Sequence, residues 1–145
     1  MAAGDGHVTN NFKEQLLLNN IDCVTDTFKL ALFDIAYSAG QIDGAPAYGS
    51  SPYDANEASG SGYTAGGESI GTPVVTQDDT NDWAKWDDDG TDVTWTALAA
   101  NNIQQAILYS VTTSNLVCII WEIGTNSNGG DYTIQFHTNG MMTLA

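Results

Sequence analysis

The hydrophobic positions near the start of the chain follow a helical spacing. In the segment NNFKEQLLLNNI, Phe12 and Leu16 lie one helical turn apart, and the neighbouring leucines widen the apolar side. This spacing predicts a short helix over residues 11–19. Asn10 or Asn11 is placed to cap its first turn.

The pattern then switches to the alternation that is typical of a β-strand. In DTFKLALFDIAY, one side carries Phe28, Leu30 and Leu32, and the other side carries Lys29, Ala31 and Phe33. Because successive side chains of a strand point to opposite faces, this segment is predicted to be a strand.

Residues 38–73 interrupt these regular patterns. They hold more than half of the fifteen glycines and all three prolines, and no long periodic run of hydrophobic residues survives in them. We therefore predict a long glycine-rich loop region with at most short strands. A loop of this length in a compact domain is usually functional or mobile, and we expect it to pack at an interface with a partner.

Strand patterns return at Val74 and continue to the end of the chain. TPVVTQDD predicts one strand, and DWAKWDDDGTDVTWTAL predicts a hairpin that turns at residues 88–90. The runs IQQAILYSVT and LVCIIWEIG are apolar almost throughout, as expected of strands between two layers. YTIQFH and MMTLA predict the last two strands.

The predicted elements sum to about seven short strands and one helix, which do not alternate as in a parallel doubly wound sheet. The expected fold class is mainly all-β, an antiparallel β-sandwich or a jelly-roll-like fold with a short N-terminal helix. We expect a single domain over residues 10–145, with the loop insertion at 38–73. Residues 1–9 are predicted to form a flexible N-terminal arm.

The charge of the chain is one-sided. Its 145 residues carry 18 acidic side chains against three lysines and no arginine, which gives a net charge of −15. Because binding to phosphate groups needs clustered cations, this composition argues against nucleic acid and anionic membranes as partners. A positively charged protein surface or a cation is compatible with it.

The cellular compartment is indicated by targeting signals and by cysteine usage. No apolar run approaches the ~18 residues of a membrane span, and the start MAAGDGHVTNNF lacks the features of a signal peptide. We expect the protein to be made and folded in a cytoplasm. Cys23 and Cys118 lie among apolar residues and are interpreted as buried free thiols, with a disulfide as the alternative.

The stretch NEASGSGYTAGGESI, residues 56–70, raises the question of a phosphate-binding loop. Such a loop needs a lysine after its last glycine, but here Gly67 is followed by Glu68, whose charge repels phosphate. No apolar strand precedes the glycines, which also argues against a dinucleotide site. We interpret the glycines as shaping a connection through positive φ angles or close chain approach: Gly60, Gly62, Gly66 and Gly67.

An acidic segment follows the loop region. It carries seven aspartates: Asp78, Asp79, Asp82, Asp87, Asp88, Asp89 and Asp92. If Gly90 is aligned with the glycine of a helix–loop–helix calcium loop, Lys85 and Thr96 fall on the first and last ligand positions, and the motif fails. We interpret the segment as a solvated turn and strand edge, with an adventitious calcium or magnesium site over Asp78–Asp92 as the alternative.

Candidate catalytic residues are few. His7 and His137 are the only histidines, and no Gly-x-Ser-x-Gly elbow accompanies them, so a serine hydrolase triad is not indicated. A glycosidase carboxylate pair would have to come from residues such as Glu57, Glu68 and Glu122. We expect Glu122 to face solvent or to pair with a lysine. The prediction is a protein without catalytic residues, metal or cofactor.

Four tryptophans could stack against sugar rings: Trp83, Trp86, Trp95 and Trp121. Their strand spacing favours roles in the core, because tryptophans contribute much of the buried area in small β proteins. Trp86, beside the predicted turn, is the best candidate for an exposed one.

The order of several segments resembles a family of small structural proteins of tailed bacteriophages, whose members are typically encoded among head genes. The resemblance spans residues 10–144, and its most specific pieces are NEASGSGYTAGG at residues 56–67, DVTW at 92–95 and GDYTIQF at 130–136. Related sequences often carry an Ala-Arg pair where this chain has Gln104 and Gln105.

This resemblance implies a virion component without catalytic residues. A capsid decoration, or cement, protein fits the size and composition best. Its implied partner is the major capsid protein on the outer surface of the head, its implied location is the virion capsid surface, and its implied state is a homotrimer. The alternative is a tail or fibre-associated protein that contacts host-surface glycan through Trp86 and the loops of residues 38–73.

Overall fold

The computed structural model describes residues 6–100 and 102–144 and is mainly antiparallel β-structure. The elements are β1 (Gly6–Val8), α1 (Asn10–Leu17), β2 (Phe28–Phe33), a 3₁₀ helix (Ala39–Ile42), β3 (Glu68–Ser69), β4 (Val74–Asp78), β5 (Trp83–Asp87), β6 (Val93–Trp95), β7 (Ile103–Ser110), β8 (Leu116–Thr125), β9 (Tyr132–Ile134) and β10 (Met142–Leu144). The largest sheet has the order β1-β8-β7-β2-β3, and smaller sheets have the orders β10-β5-β4 and β6-β9. The predicted all-β, sandwich-like fold class is confirmed.

The central strands of the five-stranded sheet are buried on both faces. In β2 the predicted alternation holds, because Leu30 and Leu32 belong to one apolar cluster and Ala31 and Phe33 to another. The first cluster joins this sheet to α1 and to both smaller sheets through Phe12, Trp86, Val93, Trp95, Tyr132 and Ile134. Strands that carry apolar residues on both faces occur in sheets that are covered on both faces by other parts of the protein.

The second face of the sheet is covered by irregular chain instead of a second sheet. Residues 35–58, which we call the covering loop, place Tyr53 in the second cluster and pack Ile35, Tyr37, Ile42 and Tyr48 against it. The predicted loop region of residues 38–73 is therefore largely without strands, but its apolar side chains face its own sheet. Its packing at a partner interface stays a prediction.

The predicted hairpin between Trp83 and Thr96 is wrong. β5 pairs with β4 and β10, whereas β6 pairs with β9 in a different sheet. Trp86 and Trp95 both enter the core, so the turn at residues 88–90 carries the chain from one sheet to the other and does not fold it back on itself. β1 and β3 were not predicted, because strands of three and two residues are too short to show an alternation of apolar and polar side chains.

The predicted flexible arm is wrong for residues 6–9. Gly6–Val8 pairs antiparallel with β8, and Thr9 is completely buried. The rest of the predicted arm lies outside the described residues. Thr9, not Asn10 or Asn11, caps α1, which runs from residue 10 to residue 17.

Trp86 is the contact that fastens the three-stranded sheet to the rest of the molecule. Its ring lies 5.6 Å from that of Phe12 and 5.0 Å, edge to face, from that of Phe28, and its indole NH donates to the carbonyl of Cys23 over 2.8 Å. It is 3% exposed, so its prediction as the exposed tryptophan is wrong. The alternation of β5 turns it inward, towards the helix.

Thr9 provides a direct test of the N-terminal arrangement. Its hydroxyl donates to the carbonyl of Val117 over 2.7 Å and accepts from the amide of Phe12 over 3.2 Å. We expect Thr9→Ala to lower the free energy of unfolding by about 1–2 kcal/mol in urea denaturation, because a cap and a buried hydrogen bond are lost. Thr9→Ser keeps the hydroxyl and should lose less than about 1 kcal/mol. Equal losses in the two variants would contradict the capping role.

Candidate functional site

The glycine-rich stretch is filled by the protein's own backbone. A Cβ atom added at Gly67 would lie 2.0 Å from the carbonyl oxygen of Leu30, and one added at Gly60 would lie 2.3 Å from that of Ala99. Both glycines have positive φ angles, +68° and +134°. Because the chain approaches β2 and the 96–100 turn this closely, the stretch leaves no cradle for a ligand at these points. The interpretation as a shaped connection agrees with this geometry.

Glu57 ties the same stretch to the five-stranded sheet. Its carboxylate accepts hydrogen bonds from the hydroxyls of Tyr48 and Tyr63, each over 2.9 Å, and from the amide of Gly66 over 2.6 Å. The hydroxyl of Tyr63 in turn accepts from the amide of Leu32 over 3.0 Å. A carboxylate that accepts three hydrogen bonds serves here to hold the loop in place.

The tyrosines around Glu57 remain protonated donors. Burial, followed by the hydrogen bond to Glu57, raises the pKa of Tyr48 to about 12. Burial also raises the pKa of Tyr63 and of Tyr109, whose hydroxyl donates to the carbonyl of Gly66 over 2.8 Å. At neutral pH these groups therefore hold Glu57 and Gly66 and do not act as bases.

A second polar contact fastens the covering loop to β7. The side-chain oxygen of the buried Gln105 accepts from the hydroxyl of Tyr53 over 3.2 Å, and its amide nitrogen donates to the side-chain oxygen of Gln41 over 3.1 Å. Sequence reasoning missed this role for Gln105. The available signal was a glutamine inside the otherwise apolar run IQQAILYS, at a position that alternation turns towards the second cluster.

The acidic segment divides into separate local contacts. Asp78 accepts from the amides of Thr80 and Asn81 and from the indole NH of Trp83, whereas Asp89 accepts from the amide of Thr91. Among the residues that the structure describes, no group of three metal-binding side chains converges. The predicted solvated turn fits these contacts, and the alternative cation site gains no support from them.

Asp88 differs from the other aspartates because it is only 4% exposed. One carboxylate oxygen accepts from the amide of Gly90 over 3.0 Å, and the other, Oδ2, is buried without a hydrogen-bond partner. Burial raises the pKa of Asp88, and the charges of Asp87, Asp89 and Asp92 add to the rise. The ionised carboxylate of Asp88 is therefore less stable in the folded protein than the protonated carboxyl group.

The candidate catalytic residues do not form one centre. His7 lies 3.0 Å from the carboxylate of Glu122 and stacks on Tyr37 with 4.0 Å between ring centroids. His137 is exposed and accepts from the amide of Asn139. Glu122 is exposed, as predicted, but its partner is a histidine and not a lysine. Glu57 is hydrogen-bonded to Tyr48, Tyr63 and Gly66. Glu68 lies on β3, opposite Leu30 of β2.

Both cysteines are free, in agreement with the predicted thiols. Cys118 is buried, but Cys23 is only half-buried. Burial, with the charges of Asp22 and Asp26, raises the pKa of Cys23 to about 11, so this thiol is protonated and unreactive at neutral pH.

The three-stranded sheet extends beyond the core and leaves part of its inner face uncovered. Val75 lies opposite Trp86 across β4 and β5, and Leu144 lies opposite Ala84 across β10 and β5. Because directly opposed residues share a face and the face alternates along each strand, all of them belong to the side of the buried Trp86. Val75 is nevertheless 51% exposed and Leu144 is 61% exposed. We call Val75, Ala84 and Leu144 the overhang.

An apolar groove continues from the overhang to α1. It has a volume of about 280 Å³ and lies between the helix and β10, lined by Val8, Lys13, Leu16, Leu17, Met142, Thr143 and Leu144. Leu17 is 90% exposed, although the sequence pattern assigned it to the apolar side of the helix. A helix side and a sheet face that are both left open form a surface suited to another protein.

Comparison with known proteins gives no further guide to this surface. No protein-family model matches the chain, and no curated protein or solved structure matches it significantly. Within residues 6–100 and 102–144, none of the helices has the length and apolar character that crossing a bilayer requires.

Gly67 tests whether the glycine-rich stretch is part of the fold. We expect Gly67→Ala to lower the free energy of unfolding by at least about 3 kcal/mol, because backbone strain and a clash with Leu30 add together. Gly90→Ala is the matched control. Gly90 also has a positive φ angle, +85°, but nothing lies within 4 Å of its added Cβ, so only about 1 kcal/mol of strain is expected. Equal losses in urea denaturation would contradict the close approach.

Asp88 gives a pH-dependent prediction. Its folded pKa lies above the unfolded value of about 3.9, so its ionisation costs stability as pH rises through that window. Relative to Asp88→Asn, the native protein should therefore lose unfolding free energy between pH 3 and pH 7. Urea denaturation of both proteins at the two pH values measures this difference. A relative stability that rises with pH would mean that a cation or other partner meets the carboxylate in solution.

Proposed function

We propose that this protein is a bacteriophage capsid decoration protein, which binds the outer surface of the major capsid protein lattice and stabilises the head. The observation that carries the proposal is the overhang, an inner sheet face left open beside the exposed Leu17. The resemblance of the chain to small tailed-phage structural proteins supports the same role. The proposed location is the capsid surface of the virion.

The overhang and groove provide the docking surface in this proposal. Burial of aliphatic side chains such as Leu17 and Leu144 contributes about 1.5–3 kcal/mol each, which is enough for a few residues to carry most of a protein contact. The occupant is an aliphatic side chain of the capsid subunit, seated between α1 and β10. The uncovered sheet face is thereby covered in the assembled particle.

The charge of the chain selects the kind of partner. With a net charge of −15, the protein is attracted to a capsid face ringed by Lys and Arg. We propose that association is fast at low salt and slows as salt is added. A homotrimer would offer several such contacts to a symmetric lattice, which raises the overall affinity without any new contact.

The alternative role, a tail or fibre protein that contacts host glycan, loses the residue on which it depended. Trp86 is buried between Phe12 and Phe28 and offers no ring to a sugar. The loops of residues 38–73, the other half of that hypothesis, pack the aromatic side chains of Tyr48, Tyr53 and Tyr63 against the two apolar clusters of the protein itself.

The docking surface is tested by binding to heads of the encoding phage from which the protein has been removed. We expect Leu17→Ser and Leu144→Ser each to weaken binding by about tenfold or more in co-sedimentation, since each removes an aliphatic contact. Val111→Ser is the matched control, because Val111 is also an exposed aliphatic residue, at 41%, but lies outside the groove. Binding by all three variants as tight as that of the native protein would rule out this surface.

The location on the head is tested separately by counting copies in purified virions with quantitative mass spectrometry. A lattice decoration protein is present in numbers comparable to those of the capsid subunit. A handful of copies per virion would place the protein at the tail or at a unique vertex and would contradict the proposed function.

A further inference from the structure

The outer face of the three-stranded sheet carries a second feature, the half-buried indole of Trp83. Trp83 and Trp86 are both on β5 but three positions apart, so alternation turns them to opposite sides of the sheet. Trp86, Trp95 and Trp121 are 1–4% exposed, whereas Trp83 is only half-buried. A large aromatic ring that no core requires is a candidate for binding.

The ring of Trp83 is held in a fixed orientation. Its Nε1 donates to Oδ2 of Asp78 over 3.0 Å, and Asp78 is its neighbour across β4 and β5. The same carboxylate accepts from the amide of Thr80 and from the amide and side chain of Asn81. The bonds to Asn81, Thr80 and Trp83 lower the pKa of Asp78, so it stays ionised and keeps the indole in place. A ring fixed in this way loses little entropy when a ligand stacks on it.

Hydrogen-bonding groups surround the ring on the outer face. A cavity of about 430 Å³ lies beside it, lined by Thr76, Gln77, Asp79, Lys85, Thr138 and Asn139. The ammonium group of Lys85 is fixed over 3.1 Å to the carboxylate of Asp87 and over 3.1 Å to the carbonyl of Thr138. Side-chain amides, hydroxyls, an ammonium group and the two carboxylates of Asp78 and Asp79 therefore converge next to one aromatic ring. Such a volume is within the range of small-molecule sites.

We propose that this outer face binds a neutral sugar, a hexose or N-acetylhexosamine unit of a glycan, with the sugar stacked on Trp83. One side of a pyranose ring presents C–H groups that pack on an indole, while its hydroxyls and acetamido group need the donors and acceptors that Thr76, Thr138 and Asn139 supply. The net charge of −15 disfavours sialic and uronic acids. The ring of Trp83 belongs to the face opposite the overhang, and the two surfaces meet at the free edge of β4. The site does not depend on the proposed docking role.

A basic side chain of a protein is the other occupant that a tryptophan among carboxylates could attract. The charges of the cavity wall are partly compensated. The ammonium group of Lys85 lies in that wall and pairs with Asp87 over 3.1 Å, which reduces the attraction of the nearby carboxylates for a second cation. The cavity also offers more neutral amide and hydroxyl groups than charged ones, which suits hydroxyl recognition.

The experiment is an array of neutral hexose and N-acetylhexosamine oligosaccharides, with sialylated and uronic-acid glycans beside them, probed with the full-length protein. We expect binding to neutral glycans alone. For the strongest neutral glycan, titration monitored by saturation-transfer NMR should show Trp83→Ala at least about tenfold weaker than the native protein, because the stacked ring is lost. Trp83→Phe keeps a smaller ring and should retain part of the affinity.

Controls separate this site from the fold and from the docking surface. Circular dichroism of Trp83→Ala checks that the variant is folded. Leu17→Ser, at a residue that lines the groove but not the cavity beside Trp83, should bind glycan as the native protein does while its binding to heads is weakened. Silence of the whole array would overturn the proposal, as would binding of Trp83→Ala and the native protein with equal affinity. Displacement of the glycan by an oligolysine peptide at low salt would instead identify a basic protein segment as the occupant and would also overturn it.

Discussion

The five-stranded sheet must be covered on both faces, and the rest of the structure depends on this constraint. β2, β7 and β8 carry apolar residues on alternate positions of both parities, so neither face can be left in water. One face is covered by α1 and the two small sheets. The other is covered by irregular chain, which brings its own backbone polar groups against an apolar surface. Those groups need partners, which Glu57 and Tyr109 provide for the amide and the carbonyl of Gly66. Side-chain contacts among Glu57, Gln105 and the tyrosines Tyr48, Tyr53 and Tyr63 also hold the irregular chain down.

This constraint decides where function can reside. The glycine-rich stretch, the most conspicuous feature of the sequence, is used to bring the chain close to β2 and leaves no room for a ligand at Gly60 and Gly67. The covering loop is likewise committed to its own sheet. The three-stranded sheet is different, because it is fastened near Trp86 and extends past the core. Alternation then leaves an apolar surface on its inner side and a polar surface around Trp83 on its outer side.

The sequence allowed the strands with long apolar runs to be predicted, but not how the short strands pair. The alternation of FKLALF and the runs of β7 and β8 are local signals, so these strands and the fold class followed from them. Pairing is a long-range property, and the segment from Trp83 to Thr96 has the local appearance of a hairpin although its two strands join different sheets. The burial of Trp86 and the capping by Thr9 depend on Phe28 and Val117, which are distant in sequence. The glycine-rich stretch was interpreted correctly because its lack of lysine is a local chemical fact.

Hydrogen exchange with mass spectrometry, on the free protein and on the protein bound to heads, is the most direct test. It shows whether the glycine-rich stretch is part of the stable fold and whether the three-stranded sheet forms the proposed interface with the capsid. In the free protein, the amides of Ala58 and Gly66, bonded to Leu32 and Glu57, should already exchange slowly. On binding, new protection should appear in α1 and in β4, β5 and β10. Rapid exchange of residues 56–67 in the free protein, followed by protection of that segment on binding, would contradict the account.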